Sequence, residues 1–142
     1  MFRSIVVPVD LAELDIARQA VDKAVAFAKM TGGRVTLVNV VQIAPFMMLE
    51  TVPVSYEADI AEKAKSSLAE LMKTIDLPAG QLQAMVRIGG IYHEVLDVAK
   101  AENADLIVVG SHRPAMATYL IGSNATAIVR HATCSVLVLR NP

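Results

Sequence analysis

Asp105 to Gly110 reads DLIVVG, and Ser4 to Val9 reads SIVVPV. A strand with one wet face alternates apolar and polar residues, whereas a strand covered on both faces reads as a near-continuous apolar run. These two runs are of the second kind, so each belongs in a parallel sheet with helices on both sides. Arg34 to Val41 and Cys134 to Arg140 carry the same β-branched signature. Gln81 to Ile88 alternates more, which puts it nearer a sheet edge.

Helical periodicity fills the intervals. Leu14, Ala17, Val21, Ala24, Val25 and Ala28 share one helix face, as do Ile60, Ala64, Leu68, Leu71, Met72 and Ile75. Shorter helices are expected at Tyr92 to Glu102 and Ser123 to His131. Strand and helix thus alternate, five strands with four helices, which implies a single doubly wound α/β domain over residues 1–142 with right-handed crossovers. Such sheets bind ligands at the carboxyl ends of their strands, where the strand order reverses.

Composition excludes several classes. The 142 residues are 54% hydrophobic and 19% charged, yet the apolar runs are strand-sized, far short of the roughly 18 to 20 residues of a membrane helix. No membrane partner is expected. MFRSIVVPVD leads straight into a strand without the pattern of a signal peptide, and the lone Cys134 allows no internal disulfide, so a reducing cytoplasm is the expected compartment. Net charge is -1 with Lys and Arg scattered, which leaves no electrostatic footprint for nucleic acid. No Cys/His cluster has the spacing of a structural zinc site. Cys134 reads as an inert thiol packed in the last strand.

Strand ends are therefore where function is sought. Gly110 ends a strand, where a missing Cβ lets backbone approach a ligand. Gly122 and Ser123 precede a helical pattern, and a helix start offers unpaired N–H groups and a positive dipole end to an anion. Ser123 is open to two readings, an N-cap or a hydroxyl donor to phosphate. Asp10 is open to two as well, the cap of the next helix or an acceptor for a ribose hydroxyl. The long loop Gln42 to Tyr56 is either functional or a loosely ordered insertion.

The strand ending VPVD, the run Gly-Ser-His after a later strand, the loop closing on Gly-Ser and the final VRHATCSVLVLR together resemble the universal stress protein family, in order and spacing from Ile5 to Arg140. The resemblance implies a Rossmann-like, adenine nucleotide alpha hydrolase-like sheet of order 3-2-1-4-5 and, in one branch, bound ATP. That branch carries Gly-x-x-Gly, a longer run, then Gly-Ser or Gly-Thr. Gly110 matches the first glycine, and Gly122 and Ser123 the final pair. Arg113 stands in place of the middle glycine, and the run from there to Gly122 is one residue short. Arg113 either meets phosphate through bidentate hydrogen bonds or points to solvent. His112, in the same loop, is a further phosphate donor.

By the same resemblance Asp10 meets the ribose, Pro8 and Val9 edge the adenine pocket, and backbone groups near Val40 read the base; for Pro8, Val9 and Val40 plain strand packing is the other reading. Asn124 offers its backbone N–H at the helix start. Ala12 and Ala125 stand where the family often has hydroxyl side chains. The expected ligand is ATP, ADP or AMP, with magnesium as a companion of the phosphates. The expected function is a nucleotide-dependent stress-response module. It is expected to be a homodimer through Ser135 to Leu139, or a larger assembly. A slow ATP hydrolase and a nucleotide-free dimeric scaffold are the alternatives. No Gly-Lys-Ser or Gly-Lys-Thr of a P-loop is present, so turnover is expected to be slow or absent.

Overall fold

A computed structural model of the chain describes residues 1–42, 55–111 and 122–140. The elements run β1 (Ser4–Pro8), α1 (Leu14–Thr31), β2 (Arg34–Val41), α2 (Tyr56–Lys73), a 3-10 turn (Ala79–Gln81), β3 (Leu82–Ile88), α3 (Ile91–Ala101), β4 (Leu106–Ser111), α4 (Ser123–His131) and β5 (Ser135–Arg140). All pairings are parallel, and the strand order is β3-β2-β1-β4-β5. The strand order reverses between β1 and β4, because the chain moves outward from β1 to β3 and then crosses back to the far side of β1.

The unbroken apolar runs are explained by two separate cores, one on each face. Ile5, Val7, Val35, Leu37, Leu106 and Val108 face α1 and α2, while Val6, Val38, Ile107 and Val109 face α3 and α4. Successive strand residues point to opposite faces, so the central positions 5–7 of β1 and 106–109 of β4 are all apolar to satisfy both. Helix α1 lays a stripe of Ala17, Ala20, Val21, Ala24 and Ala28 on the sheet, and the small alanines allow a close approach. Leu14, expected on that stripe, is the first helical residue and is 49% exposed. Helix α2 buries Ala64 and Leu68, with Leu71 and Met72, and Ile75 just past its end, packed at the margin. As its alternation indicates, β3 lies at an edge, and none of its residues is fully buried.

The amino ends of the strands are held by polar bonds. The Arg3 and Ser4 N–H groups donate to the two carboxylate oxygens of Asp105, each at 3.0 Å, and the Asp105 N–H returns a bond to the Ser4 carbonyl at 2.9 Å. The Glu102 carbonyl accepts from Ser4 Oγ and from the Arg34 guanidinium, and its carboxylate accepts from Gln83 Nε2. Gln83 also donates to the hydroxyl of Thr36, which is only 1% exposed. Burial alone would raise the Asp105 pKa, but the backbone donors of Arg3 and Ser4 outweigh it and hold the carboxyl below its ordinary value.

A candidate nucleotide cleft at the switch point

At the opposite, carboxyl end the sheet opens into a cleft of about 330 Å³. That is within the roughly 300 to 1,000 Å³ range of small-molecule sites. The end of β1 supplies Pro8, Val9 and Asp10, β2 supplies Val38, Asn39 and Val40, and β4 supplies Val109 and Gly110. The start of α4 adds Gly122, Ser123, Asn124 and Ala125, and Glu13, Ile16 and Ala17 of the first turns around α1 close one side. Ile91 reaches in from the start of α3. Pro8, Val9, Asp10, Val40, Gly110, Gly122, Ser123 and Asn124 are thus brought to one cavity from separate parts of the sequence. His112 and Arg113 lie outside the described residues, as do residues 43–54 of the long loop.

Local geometry fixes where the caps lie. Asp10 is not the cap of α1, whose first residue is Leu14 and whose cap position is Glu13. Instead, Asp10 Oδ1 accepts the Ala12 N–H at 2.9 Å and its carbonyl accepts the Glu13 N–H at 3.0 Å, a tight turn that holds the exposed carboxylate at the cleft. Gly122, not Ser123, is the cap of α4, and among the described residues no side chain caps the exposed N–H groups there. Ser123 is the first helical residue and is exposed. Thr126 closes the turn behind it, with its N–H and its hydroxyl both donating to the Gly122 carbonyl, at 2.9 and 3.0 Å. The open helix start concentrates partial positive charge at the cleft, and no acidic residue lies in this first turn.

Gly110 has a packing reason beside the one its sequence position offers. A Cβ placed there would stand 2.5 Å from Cγ2 of Ile16, a branched side chain with little freedom to withdraw. The glycine lets α1 settle on the end of β4. Gly89, at the end of β3, has φ +148° and its N–H donates to the Val41 carbonyl at 3.0 Å, and Gly90 then caps α3. The turn delivers Ile91 to the cleft.

Sequence reasoning missed Asn39, Ile16 and Glu13. Asn39 is 8% exposed, and its Nδ2 donates to the Val9 carbonyl at 2.9 Å. A lone polar residue inside the run RVTLVNVV was the available signal, since a polar group in a buried strand must find a partner. Arg87, the ladder partner of Val40, carries a buried Nε with no hydrogen-bond partner, for which the described residues give no reason. Among the described residues no group of three His, Cys, Asp or Glu side chains is placed to hold a metal ion. None of their helices is long and apolar enough to cross a membrane. Burial, and secondarily the Asp105 charge, push the Cys134 thiol up, which keeps it protonated and poorly nucleophilic.

A parallel sheet of this order with a cleft at its reversal point defines a doubly wound, Rossmann-like α/β protein. More narrowly, the chain belongs to the universal stress protein family, whose model matches residues 1–140. Universal stress protein G of Shigella flexneri is 29% identical over 143 residues, an alignment covering 99% of this chain and 100% of the relative. The solved structure of universal stress protein UspA from Lactobacillus plantarum superposes with a TM-score of 0.72 at 28% identity, covering 98% of each chain. A universal stress protein solved in complex with cAMP has the same fold, with a TM-score of 0.68 at 18% identity over 98% of this chain and 97% of that one.

Proposed function

We propose that the chain binds an adenine nucleotide in the carboxyl-end cleft, ATP with ADP or AMP as alternatives, and serves as a cytoplasmic stress-response module whose assembly depends on occupancy. One observation carries the reading: the amino terminus of α4, which has no side-chain cap among the described residues, and the exposed carboxylate of Asp10 line the same cleft at the switch point of the sheet. The first suits an anion and the second a pair of hydroxyls, which are the two polar parts of a nucleotide. Asp10 accepts from the ribose, and backbone groups of Gly122, Ser123 and Asn124 hold phosphate with the Ser123 hydroxyl. Pro8, Val9 and Val40 enclose the base. The cAMP complex of a protein of this fold supports the choice of an adenine ring.

Assembly through β5 is the second part of the proposal. This strand is a sheet edge, and Val136, Leu137, Val138 and Leu139 are each only half-buried on it. An apolar edge of this kind invites a second chain to pair.

Two experiments test the reading. Titration calorimetry with ATP and with GTP is expected to give binding of the adenine nucleotide with preference over guanine. Protein that binds neither, and that releases no nucleotide on heat denaturation by mass spectrometry, overturns it. Light scattering of Val138→Pro is expected to show loss of the dimer. A persistent dimer moves the interface elsewhere.

A further inference from the structure

Resting on the nucleotide reading, we infer that Asn39 is a positioning residue: its amide holds the end of β1 away from β2, and so leaves the backbone of Val40 open to read the base. The observation is where the ladder stops. β1 and β2 are in register up to Pro8 opposite Val38, and the last backbone bond runs from the Val9 N–H to the Val38 carbonyl at 2.7 Å. In a parallel ladder each residue of a central strand turns its N–H and C=O to one neighbour, and the next residue turns them to the other. Val38 faces β1, and Val41 faces the β3 side, where its carbonyl accepts the Gly89 N–H at 3.0 Å. Val40 therefore faces β1.

The next rung would join the Val40 N–H to the Val9 carbonyl. Among the described residues that backbone bond is not made, and Asn39 Nδ2 takes the Val9 carbonyl at 2.9 Å instead. The carbonyl is satisfied without β2 backbone, and Val40, half-buried at the cleft, keeps a donor and an acceptor turned into the gap. Adenine presents an acceptor at N1 beside a donor at N6, which complements one N–H and one C=O. Hypoxanthine presents the reverse pair. The amide of Asn39 thereby acts on base choice through Val40.

The test uses the whole chain and two readouts. Amide hydrogen exchange by NMR on nucleotide-free protein is expected to show Val40 exchanging much faster than Val38, and slowing on addition of ATP. In Asn39→Ala and Asn39→Asp, which lack the amide donor, Val40 is expected to gain protection as the rung closes. The preference for ATP over ITP, expected at about tenfold or more for the loss of a matched hydrogen-bond pair, should fall to near unity. Leu68→Ala, a core truncation under α2, lowers stability without touching the cleft and should keep the preference. Protection of Val40 in the nucleotide-free wild type overturns the inference even if neither Asn39 variant folds. So does an unchanged ATP-to-ITP ratio in both variants. A wild type that binds neither nucleotide overturns the nucleotide reading and this inference together, whereas failure of the inference alone leaves wild-type ATP preference intact.

Discussion

The two ends of the sheet are made from the same five strands but solve opposite problems. At the amino end, Asp105, Glu102, Gln83 and Thr36 bind one another or nearby backbone, and the polar groups that burial strands there are paired inside the protein. At the carboxyl end, strands β1 and β2 part after Val9, α4 begins without a side-chain cap, and Asp10 is exposed. A buried polar group left without a partner costs about 1 to 3 kcal/mol, so the buried polar groups of the amino end must be paired internally, whereas the exposed groups of the carboxyl end bond water and stay available to a ligand. On the proposed reading, the difference separates a stability device from a binding device. It predicts that substitutions at the two ends move different quantities.

The largest effect is expected at the cleft. Gly122 has an extended backbone, φ -58° and ψ 154°, which valine adopts without strain. Gly122→Val should therefore fold with a near-wild-type urea midpoint, yet lose calorimetrically measurable ATP binding because its side chain fills the space beside the helix start. A variant that binds ATP normally breaks the comparison, since the open end would then not be the binding end.

Gly110→Ala probes a residue shared by both roles. Its added methyl meets Ile16 at van der Waals overlap, and overpacking of this kind costs about 1 to 3 kcal/mol. Combining it with Ile16→Ala should recover part of that loss, a coupling readable from urea midpoints of the four proteins in the cycle. Independent, additive losses would mean that the glycine is there for the ligand rather than for α1.

This glycine also shows what could be read from sequence and what could not. The two-faced strands and the start of α4 followed from local patterns, since SIVVPV and DLIVVG mark covered strands and Gly122 with Ser123 marks a helix start, whereas the strand order came only from the family resemblance. Gly110 was legible as a special position, but its contact with Ile16 joins residues far apart in sequence and needs the packed helix. Asn39 stayed hidden for the same reason, because its partner Val9 is a neighbour only once β1 and β2 are paired. The cap positions stayed open because a serine before a helical pattern does not reveal whether it precedes the first turn or begins it. At the amino end Asp105 looked like the first residue of a strand. Its bonds to Arg3 and Ser4 exist only because β4 crosses back beside β1.

Asp105→Ala is the counterpart at the closed end. Two backbone N–H groups lose their acceptor in a partly exposed place where water substitutes in part, so a loss of about 1 to 2 kcal/mol in urea unfolding is expected, with ATP affinity unchanged within error. A fall in affinity comparable to the fall in stability would show that the two ends are mechanically coupled and would undo the separation drawn above.

The smallest effect, and the most specific to the closed end, is the response to acid. Because backbone donors hold the folded Asp105 carboxyl below its ordinary value, the unfolded chain takes up a proton there at a higher pH than the folded chain does. The stabilisation is therefore fully present above the unfolded pKa, about 3.9 for an aspartate, and drains away as pH falls through the lower folded value. Between neutrality and about pH 5 this residue should contribute no slope at all. Urea midpoints of wild type and Asp105→Asn measured from pH 6 down to pH 3 should run parallel until about pH 4 and then converge, because the asparagine keeps one acceptor but has no charge to lose. Curves that stay parallel to the lowest pH would mean that the carboxylate charge contributes nothing and that the amino end is held by its neutral hydrogen bonds alone.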